Sequence, residues 1–362
     1  MDSVKDGREP TVRSEASVVA AAEDLASLSL DGGAPNIEDE KFCSNCGETD
    51  DDLKGCKKCR CIWYCSASCQ QEHLEVHKTE CERIEAVLKN GETFAEEDYL
   101  DLSEEVNDEE SGLFSEPPER PDCHICMIRL PIELRLWTYR ACCGKMICSA
   151  CNFDNMHACY RNEMDWVCPF CRAPTLKKDQ KFLCMEKRAG LGDAEAMWML
   201  ASHYRDGDGY VARDESKALQ WFKKSADLGN GNAQDSLGCA YKNGSLGVEV
   251  DKIKALRYFE LAAKSGNVLA RHDAGLNVNL KPDAITAVKH WRISAAAGYA
   301  HSVSCLINAF EFGFISHKDL SPSLRARDKA RLEMKSESRD RYIAHLKRTG
   351  RFDELGVDAS TL

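Results

Sequence analysis

The stretch AMWMLASHYRDGDGYVARDESKALQWFKKSADLG, residues 196–229, decides the architecture, because its pattern returns 37 residues later. Residues 233–266 read AQDSLGCAYKNGSLGVEVDKIKALRYFELAAKSG. Ala196, Ala233 and Ala270 stand at that interval, as do Leu200 and Leu237, Tyr204 and Tyr241, Gly207 and Gly244, and Lys217 and Lys254. Trp221 pairs with Tyr258, Ala226 with Ala263, and Gly229 with Gly266. A period of this length marks stacked repeats, in which each unit buries its apolar face against its neighbours. Each unit reads as a helix, a glycine turn, a second helix carrying K-A-x-x-W/Y, and a glycine stop. The third unit is shorter: Gly266 and Gly298 are 32 residues apart, the central glycine turn is missing, and the ending HWRISAAAG (290–298) is kept. Residues 300–314 read as a further first helix. The aromatics Trp221, Tyr258 and Trp291 are expected in the core, where helical spacing puts them, and not around a cofactor.

This pattern resembles the Sel-1-like repeat, an alpha-solenoid class related to tetratricopeptide repeats. The resemblance implies an all-alpha solenoid over residues 177–315 whose concave surface holds a partner protein.

The chain has 20 cysteines, and 17 of them lie between Cys43 and Cys171. Cys184, Cys239 and Cys305 are scattered. The first 30 residues lack an apolar leader core, so no secretory signal and no disulfide scaffold are expected. Paired C-x2-C spacings then read as zinc knuckles, each offering two thiolates toward a tetrahedral ion. The first cluster runs Cys43-x2-Cys46-x9-Cys56-x2-Cys59-x5-Cys65-x3-Cys69-x7-His77-x3-Cys81. Eight ligands suffice for two closed sites. A short helix from Cys69 to Cys81 would put His77 and Cys81 on one face. Cys61 is spare and reads as a small buried hydrophobe.

That spacing, with the string WYCSASCQQEHLEVHKTEC, resembles the MYND zinc finger. The resemblance implies that Cys43, Cys46, Cys65 and Cys69 share one zinc and Cys56, Cys59, His77 and Cys81 the other. It passes over His73, which lies one helical turn before His77. It also implies a groove for short proline-containing peptides, with Gln70 where the family has glutamine. Leu74 stands where the family has tryptophan, a departure that removes the aromatic platform for proline.

The second cluster holds Cys123-x2-Cys126, then Cys142 and Cys143, then Cys148-x2-Cys151, then Cys168-x2-Cys171. It resembles a RING finger over residues 121–174, with CHIC at one end and CPFCR at the other. Lys145 stands where the family has a histidine. The resemblance implies a cross-brace: Cys123, Cys126, Cys148 and Cys151 on one zinc, and Cys142, Cys143, Cys168 and Cys171 on the second. Adjacent cysteines strain a tetrahedron, so His157 or Cys159 is an alternative to one of them. Ligases of this class dock a ubiquitin-conjugating enzyme and orient its thioester. Ile125, Trp166, Pro169 and Arg172 match the positions that make that contact, and a guanidinium suits bridging two partners. The alternative is that Ile125 and Trp166 pack the knuckles and Arg172 is solvated.

The formal charge of −12 has a single source. Residues 91–122 carry 13 acids and one base, while the remainder is balanced. Such a run cannot bury enough apolar surface to order itself, so residues 91–120 read as a flexible acidic linker. Nothing basic offsets it, which argues against nucleic acid as a partner. No 18-residue apolar run is present, so no membrane span is expected. Residues 1–40 read as a disordered tail, apart from a weak helix near 16–30. The domains follow in order: finger and trailing helix at 41–90, linker at 91–120, RING-like finger at 121–176, solenoid at 177–315, and a charged C-terminal helix and tail at 316–362, where 321–351 reads as one exposed helix or two short ones capping the solenoid. This order resembles that of a group of algal and protist proteins.

The fold class expected is therefore multidomain, with two small zinc-stabilised alpha+beta fingers followed by the solenoid. Closed four-ligand sites leave no position for an activated water, so the metals are structural. Two functions compete. One is an intracellular interaction adaptor, in cytoplasm or nucleus, that binds four zinc ions and proteins or short peptides. The other is a ubiquitin ligase that recruits a conjugating enzyme. A methyltransferase would need a catalytic SET domain, whose motifs are missing, and residues 183–314 are taken by repeats. The phosphate-loop, nucleophile-elbow and H-E-x-x-H motifs are also missing.

Overall fold

The computed structural model describes residues 41–50, 52–90, 99, 112–115, 117–207, 211–277 and 284–351. The readings made for the N-terminal tail, for most of 91–111 and for 352–362 lie outside the described residues.

The first finger opens with a two-residue hairpin, β1 (Lys54–Gly55) and β2 (Trp63–Tyr64), in antiparallel register Gly55↔Trp63. Two helices follow, α1 (Ala67–Glu72) and α2 (Leu74–Asn90). The single helix expected over 69–81 is interrupted at His73, which closes α1 by donating its backbone N–H to the Cys69 carbonyl. Ser66 starts α1 by accepting from the Cys69 N–H. The second finger has the hairpin β3 (Trp137–Arg140) and β4 (Lys145–Cys148), then α3 (Ser149–Arg161).

The repeats begin after α4 (Lys178–Gly190). They comprise α5 (Ala194–Asp206) with α6 (Glu215–Asp227), α7 (Gly231–Asn243) with α8 (Lys252–Lys264), and α9 (Val268–Asn277) with α10 (Ala284–Ala296). Then come α11 (Ala300–Glu311), α12 (His317–Glu333) and α13 (Glu337–Arg348). Consecutive helices from α4 to α12 pack on one another, as the solenoid requires. The period is written into the caps. Asp193 and Asn230 accept from the N–H groups of Ala196 and Ala233, and Asn267 from that of Ala270. The helix starts are thereby fixed by short polar side chains that compete well for orphan N–H groups. Gly207 and Gly244, at φ +62 and +67, end α5 and α7 in the left-handed region.

The repeats also bond each other in register. Asn230 Nδ2 donates to Glu195 Oε2 at 2.8 Å, and Asn267 Nδ2 to Asn232 Oδ1 at 3.0 Å, one repeat on. The core aromatics differ from the expected set. Phe222 and Phe259 are fully buried, while Trp221 and Tyr258 beside them are half-buried. A Cβ on Gly238 would meet Phe259 at 2.7 Å, and one on Gly275 would meet Trp291 at 2.5 Å. Trp291 therefore fills the place of Phe259, and His290 takes that of Tyr258. Both glycines are small because a ring from the second helix lies on them.

Two expectations are overturned. The charged stretch after 316 is not an exposed helix: Arg325, Arg327, Asp328 and Arg331 of α12 are all buried. Their charge is met by the first finger. Arg327 donates through both Nη atoms to Glu80 at 2.8 and 2.9 Å and through Nε to Asp328 at 2.8 Å. Nor is the linker flexible throughout, since Leu113 is buried and the Arg120 guanidinium donates to the carbonyls of Leu130 and Ala297.

Candidate metal centres

Four groups of four donors assemble, and within each group the ligand atoms all lie within 4.8 Å of one another. They are Cys43, Cys46, Cys65 and Cys69; Cys56, Cys59, His77 and Cys81; Cys123, Cys126, Cys148 and Cys151; and Cys142, Cys143, Cys168 and Cys171. Each finger thus interleaves its two groups along the chain.

Four of the C-x2-C pairs share one backbone device. The residue after the second cysteine turns left-handed, and its N–H donates to the carbonyl of the first. The bonds are Gly47 to Cys43 at 2.8 Å, Arg60 to Cys56 at 3.0 Å, Met127 to Cys123 at 2.9 Å and Arg172 to Cys168 at 3.1 Å. The φ values are +83, +56, +56 and +58. This folds the pair so that both sulfurs face one point. The Cys148 and Cys151 pair uses a helix start, with Cys148 Sγ accepting from the Cys151 N–H at 3.4 Å. In the first finger His77 and Cys81 project together from α2, both buried.

The adjacent pair Cys142–Cys143 sits at the tip of the β3–β4 hairpin. The N–H groups of Cys143 and Gly144 both return to the Arg140 carbonyl, at 3.0 and 2.7 Å, and Gly144 has φ +73. This tight turn delivers both thiols toward Cys168 and Cys171, with Cys143 Sγ 3.7 Å from Cys168 Sγ. The alternatives do not reach the group: His157 is exposed on α3 against Phe153, and Cys159 is buried in that helix.

The donor set fits a divalent cation by its proton balance. Four clustered thiols cannot all ionise alone, and in each group one is favoured at the cost of others. Burial opposes ionisation of Cys43, but the backbone N–H groups of Cys65, Cys46 and Asn45 outweigh it and bring the thiol down to about 7. Burial and proton sharing push Cys46 up to about 12. Cys168 falls to about 6, its burial outweighed by the N–H groups of Cys171 and Phe170, while burial raises Cys142 and Cys143. In the other two groups, hydrogen bonds from neighbouring thiols lower Cys56 and Cys123, whereas those same bonds raise Cys59, Cys81, Cys148 and Cys151. A Zn2+ ion removes that competition, because it stabilises every thiolate at once.

The spare groups have structural partners. Cys61, fully buried, donates to the Cys59 carbonyl at 3.3 Å and lies 3.2 Å from His317 Nε2. His73 is held off the metal group by Tyr64, whose hydroxyl is 3.0 Å from its Nδ1. A smaller gathering of Asp235, Cys239 and Asp273 links α7 to α9. Sequence spacing gave no sign of it, since its members come from neighbouring repeats.

The contact residues are scattered in exposure. Gln70 is exposed, Leu74 is 40% exposed, and Ile125 is 41% exposed. Arg172 is exposed at the left-handed knuckle position, and Pro169 is half-buried. Trp166 is half-buried with the Arg140 guanidinium 5.6 Å from its ring. His124 and Phe170 pack edge-on at 6.1 Å, so the first and last knuckles of the second finger adjoin.

Comparison with known families matches two parts of the chain. A family model for the MYND finger matches residues 43–81, and one for the Sel1 repeat matches 194–230, 231–267 and 270–299. The chain carries a MYND finger and three Sel1 repeats, and its fold is that finger followed by a helical solenoid. Outside those segments, the second finger stands as a cysteine cluster. Among curated relatives, the histone-lysine N-methyltransferase ASHR1 of Arabidopsis thaliana is 34% identical over 59 residues, 16% of this chain and 12% of that protein. The match therefore spans about an eighth of the relative. A Sel1 repeat protein from Oxalobacter formigenes is 26% identical over 35% of this chain and 96% of its own, with a TM-score of 0.32. The protective antigen c5321 of uropathogenic Escherichia coli, which displays the same repeat fold, is 23% identical over 54% of this chain and 40% of its own, at a TM-score of 0.39. No helix of the described residues is long and apolar enough to cross a membrane.

Proposed function

We propose that the chain is a zinc-dependent adaptor that brings protein partners together. The observation that carries this reading is the composition of the metal groups: each offers four protein donors and leaves no coordination position open for substrate or water. The solenoid adds an extended surface of the kind that holds other chains. Four zinc ions per chain, two in each finger, are expected on the sixteen ligands named above. A reducing intracellular compartment suits so many thiolates. Gln70 and Leu74 mark the peptide groove of the first finger, weakened by the missing tryptophan.

The second reading, a ubiquitin ligase, is favoured by one observation: Ile125 and Arg172 are both solvent-accessible on the two knuckles that adjoin through His124 and Phe170. The four contact residues would be Ile125, Trp166, Pro169 and Arg172. Autoubiquitination against a panel of conjugating enzymes separates the two readings, comparing wild type with Ile125→Ala and Arg172→Ala. Chains formed by wild type and lost in both variants would establish the ligase. No product with any conjugating enzyme would remove it and leave the adaptor. The adaptor reading fails if metal analysis returns a chain without zinc whose fold survives chelation unchanged.

A further inference from the structure

The acidic stretch ahead of the second finger comes down on the third repeat. Leu113 is buried, and its carbonyl accepts from Arg271 Nη1 at 2.8 Å. The other arm of that guanidinium donates to the Ala263 carbonyl at 2.7 Å. One repeat earlier the equivalent residue is Gln234, whose Nε2 donates to Ala226 at 3.2 Å in the same way. The second arm of Gln234 is an acceptor, taken by the Ser265 hydroxyl at 2.9 Å, whereas arginine at 271 puts a donor there and aims it at an incoming backbone.

The next residue completes the pattern. The Phe114 ring lies 4.9 Å from the ring of His290, with Lys289 Nζ 6.0 Å from the Phe114 centroid. His290 occupies the place that Trp221 and Tyr258 fill in the earlier repeats. It is fully buried, and neither ring nitrogen has a hydrogen-bond partner among the described residues. A smaller ring stands there, and an aromatic from outside the repeat covers it. Farther along, a Cβ on Gly266 would sit 2.8 Å from the Pro118 carbonyl, so the glycine admits the segment. A cleft of about 890 Å³ runs on from this contact, with Phe114, Pro118, Val268, Lys289, Arg292 and Ile293 in its wall. Burial lowers the pKa of Arg292 in that wall, and the Asp319 carboxylate offsets this only in part. A desolvated cation of this kind favours an acidic ligand.

We propose that the third repeat is a receptor for a linear peptide bearing an aliphatic–aromatic pair followed by prolines and flanked by acids, and that Leu113–Pro118 is its resident, displaceable ligand. The partner is a protein segment of that same chemistry. The Arg271 contact reads a backbone carbonyl, which any peptide supplies, while the His290 shelf reads the aromatic. Lys289 and Arg292 place positive charge beside the aromatic, which suits a peptide whose sequence around the pair is acidic. The segment runs directly into the second finger, so tethering adds to its intrinsic affinity. A short tether supplies an effective concentration on the order of millimolar, which masks a weak site from free peptide without abolishing it. This inference deepens the adaptor reading and rests on it.

The test uses the full zinc-loaded chain and a fluorescent peptide of residues 109–120, EESGLFSEPPER, read by anisotropy. Phe114→Ala empties the site in cis and should bind the peptide at least ten times more tightly than wild type. Adding Arg271→Gln to that variant should remove most of the gain. A peptide with alanine for the phenylalanine should not bind. Equal binding by wild type and Phe114→Ala, or none by either, overturns the proposal. If Phe114→Ala loses its zinc or its helical signal, wild type decides: saturating peptide must speed amide exchange at Ser115, and unchanged exchange overturns the proposal. Self-association of wild type that vanishes in Phe114→Ala would mean that a second copy supplies the ligand, and would also overturn it. A chain that ignores the peptide but still holds four zinc ions loses this inference alone, and the adaptor reading stands.

Discussion

The two fingers draw on cysteine-rich ligand groups and are built into the molecule in different ways, the first through a buried ion pair and the second through apolar packing. The first is welded to α12. Its metal group of Cys56, Cys59, His77 and Cys81 is wholly buried. Its knuckle carbonyls are read from outside: Ser44 accepts from Arg331, Asn45 from Lys335 and Cys59 from His317. Arg325 lies over Trp63 at 4.7 Å, and Glu80 meets the buried Arg327. The second finger is held by apolar packing and neutral acceptors: the buried Arg339 donates to the Arg129 carbonyl at 2.6 Å, and Tyr139 is buried in one cluster with Phe182, Met185 and Leu200 of the repeats. Phe153 packs against Tyr342 at 5.4 Å and His345 at 4.6 Å, and an exposed pair joins Arg341 to Asp154. On its other side Tyr139 and Arg188 share Asp193, the cap of the first repeat. Its group of Cys142, Cys143, Cys168 and Cys171 is partly open, with Cys171 exposed. Metal binding in the first finger should therefore reach α12, whereas in the second it should reach α13 and leave α12 as it is.

Removing metal tests that contrast with the largest effect. A structural zinc contributes folding free energy outright, about 10 kcal/mol or more in isolated fingers. Cys56→Ser should unfold the first finger and expose α12, although the repeats alone read as independent of zinc. Hydrogen exchange should show lost protection across His317–Glu333 while α6 to α8 keep theirs. Cys171→Ser should lower metal content by one ion and leave α12 protected. Equal protection of α12 in both variants would break the comparison.

The ion pair that makes the weld comes next. Arg327 has no exposure, and replacing it leaves Glu80 and Asp328 without their cation in an apolar setting. Breaking a buried pair from one side costs about 3–5 kcal/mol. Arg327→Met should lower the denaturation midpoint accordingly, and adding Glu80→Leu should recover part of the loss. A double variant no better than the single one would show that Asp328 dominates. The contrasting change, Arg341→Ala in the second finger, should leave the midpoint unmoved, because both partners of that pair are accessible to solvent.

These interfaces explain what the sequence does and does not disclose. The ligand groups and the 37-residue period are short-range patterns, set by knuckle geometry and helix stacking, so they can be read from spacing. The adjacent Cys142 and Cys143 are strained as a pair in isolation, and the hairpin turn at Gly144 supplies the geometry that relieves them. The α12 weld could not be read, because Arg327 finds Glu80 across 247 residues of chain. A stretch dense in Arg, Lys, Asp and Glu ordinarily signals solvent, and only its distant partners turn it into core. Leu113 and Phe114 were likewise hidden inside an acidic run whose composition suggested no fixed position.

A third test lies within the solenoid, which both fingers touch. In the second repeat a neutral amide, Asn232, accepts the bond from Asn267, whereas in the first a carboxylate, Glu195, accepts it from Asn230. Burial is the main cause that raises Glu195 to about 7, against only partial relief from Asn230. The folded state thus holds a proton that the unfolded state releases above pH 4.5, the ordinary value for this group. The group's stabilising contribution is complete below that pH and is lost as pH rises through about 7. Glu195→Gln should therefore match wild type near pH 5 and exceed it by about 1–2 kcal/mol at pH 8, since each tenfold change in proton affinity is worth about 1.4 kcal/mol and partial solvation reduces the sum. Urea titrations with zinc held constant at the two pH values measure this. A constant offset would mean that packing, not ionisation, separates the repeats.

The smallest effect concerns the knuckles themselves. The first finger spends one glycine on its left-handed positions, Gly47, whereas the second has none, only Met127 and Arg172. A side chain there costs about 1–2 kcal/mol in the left-handed region. Glycine removes that strain but adds about 0.5–1 kcal/mol of unfolded-state entropy. Met127 is 69% exposed, so little packing is lost with its side chain. Met127→Gly should then raise the midpoint of the second finger slightly, by no more than about 1 kcal/mol, and leave α12 protection unchanged. A drop instead would mean that the methionine side chain contributes at the rim of the cleft, where it lines the wall beside Ile128. It would also show that the cleft wall and the second finger's knuckle are coupled through that side chain.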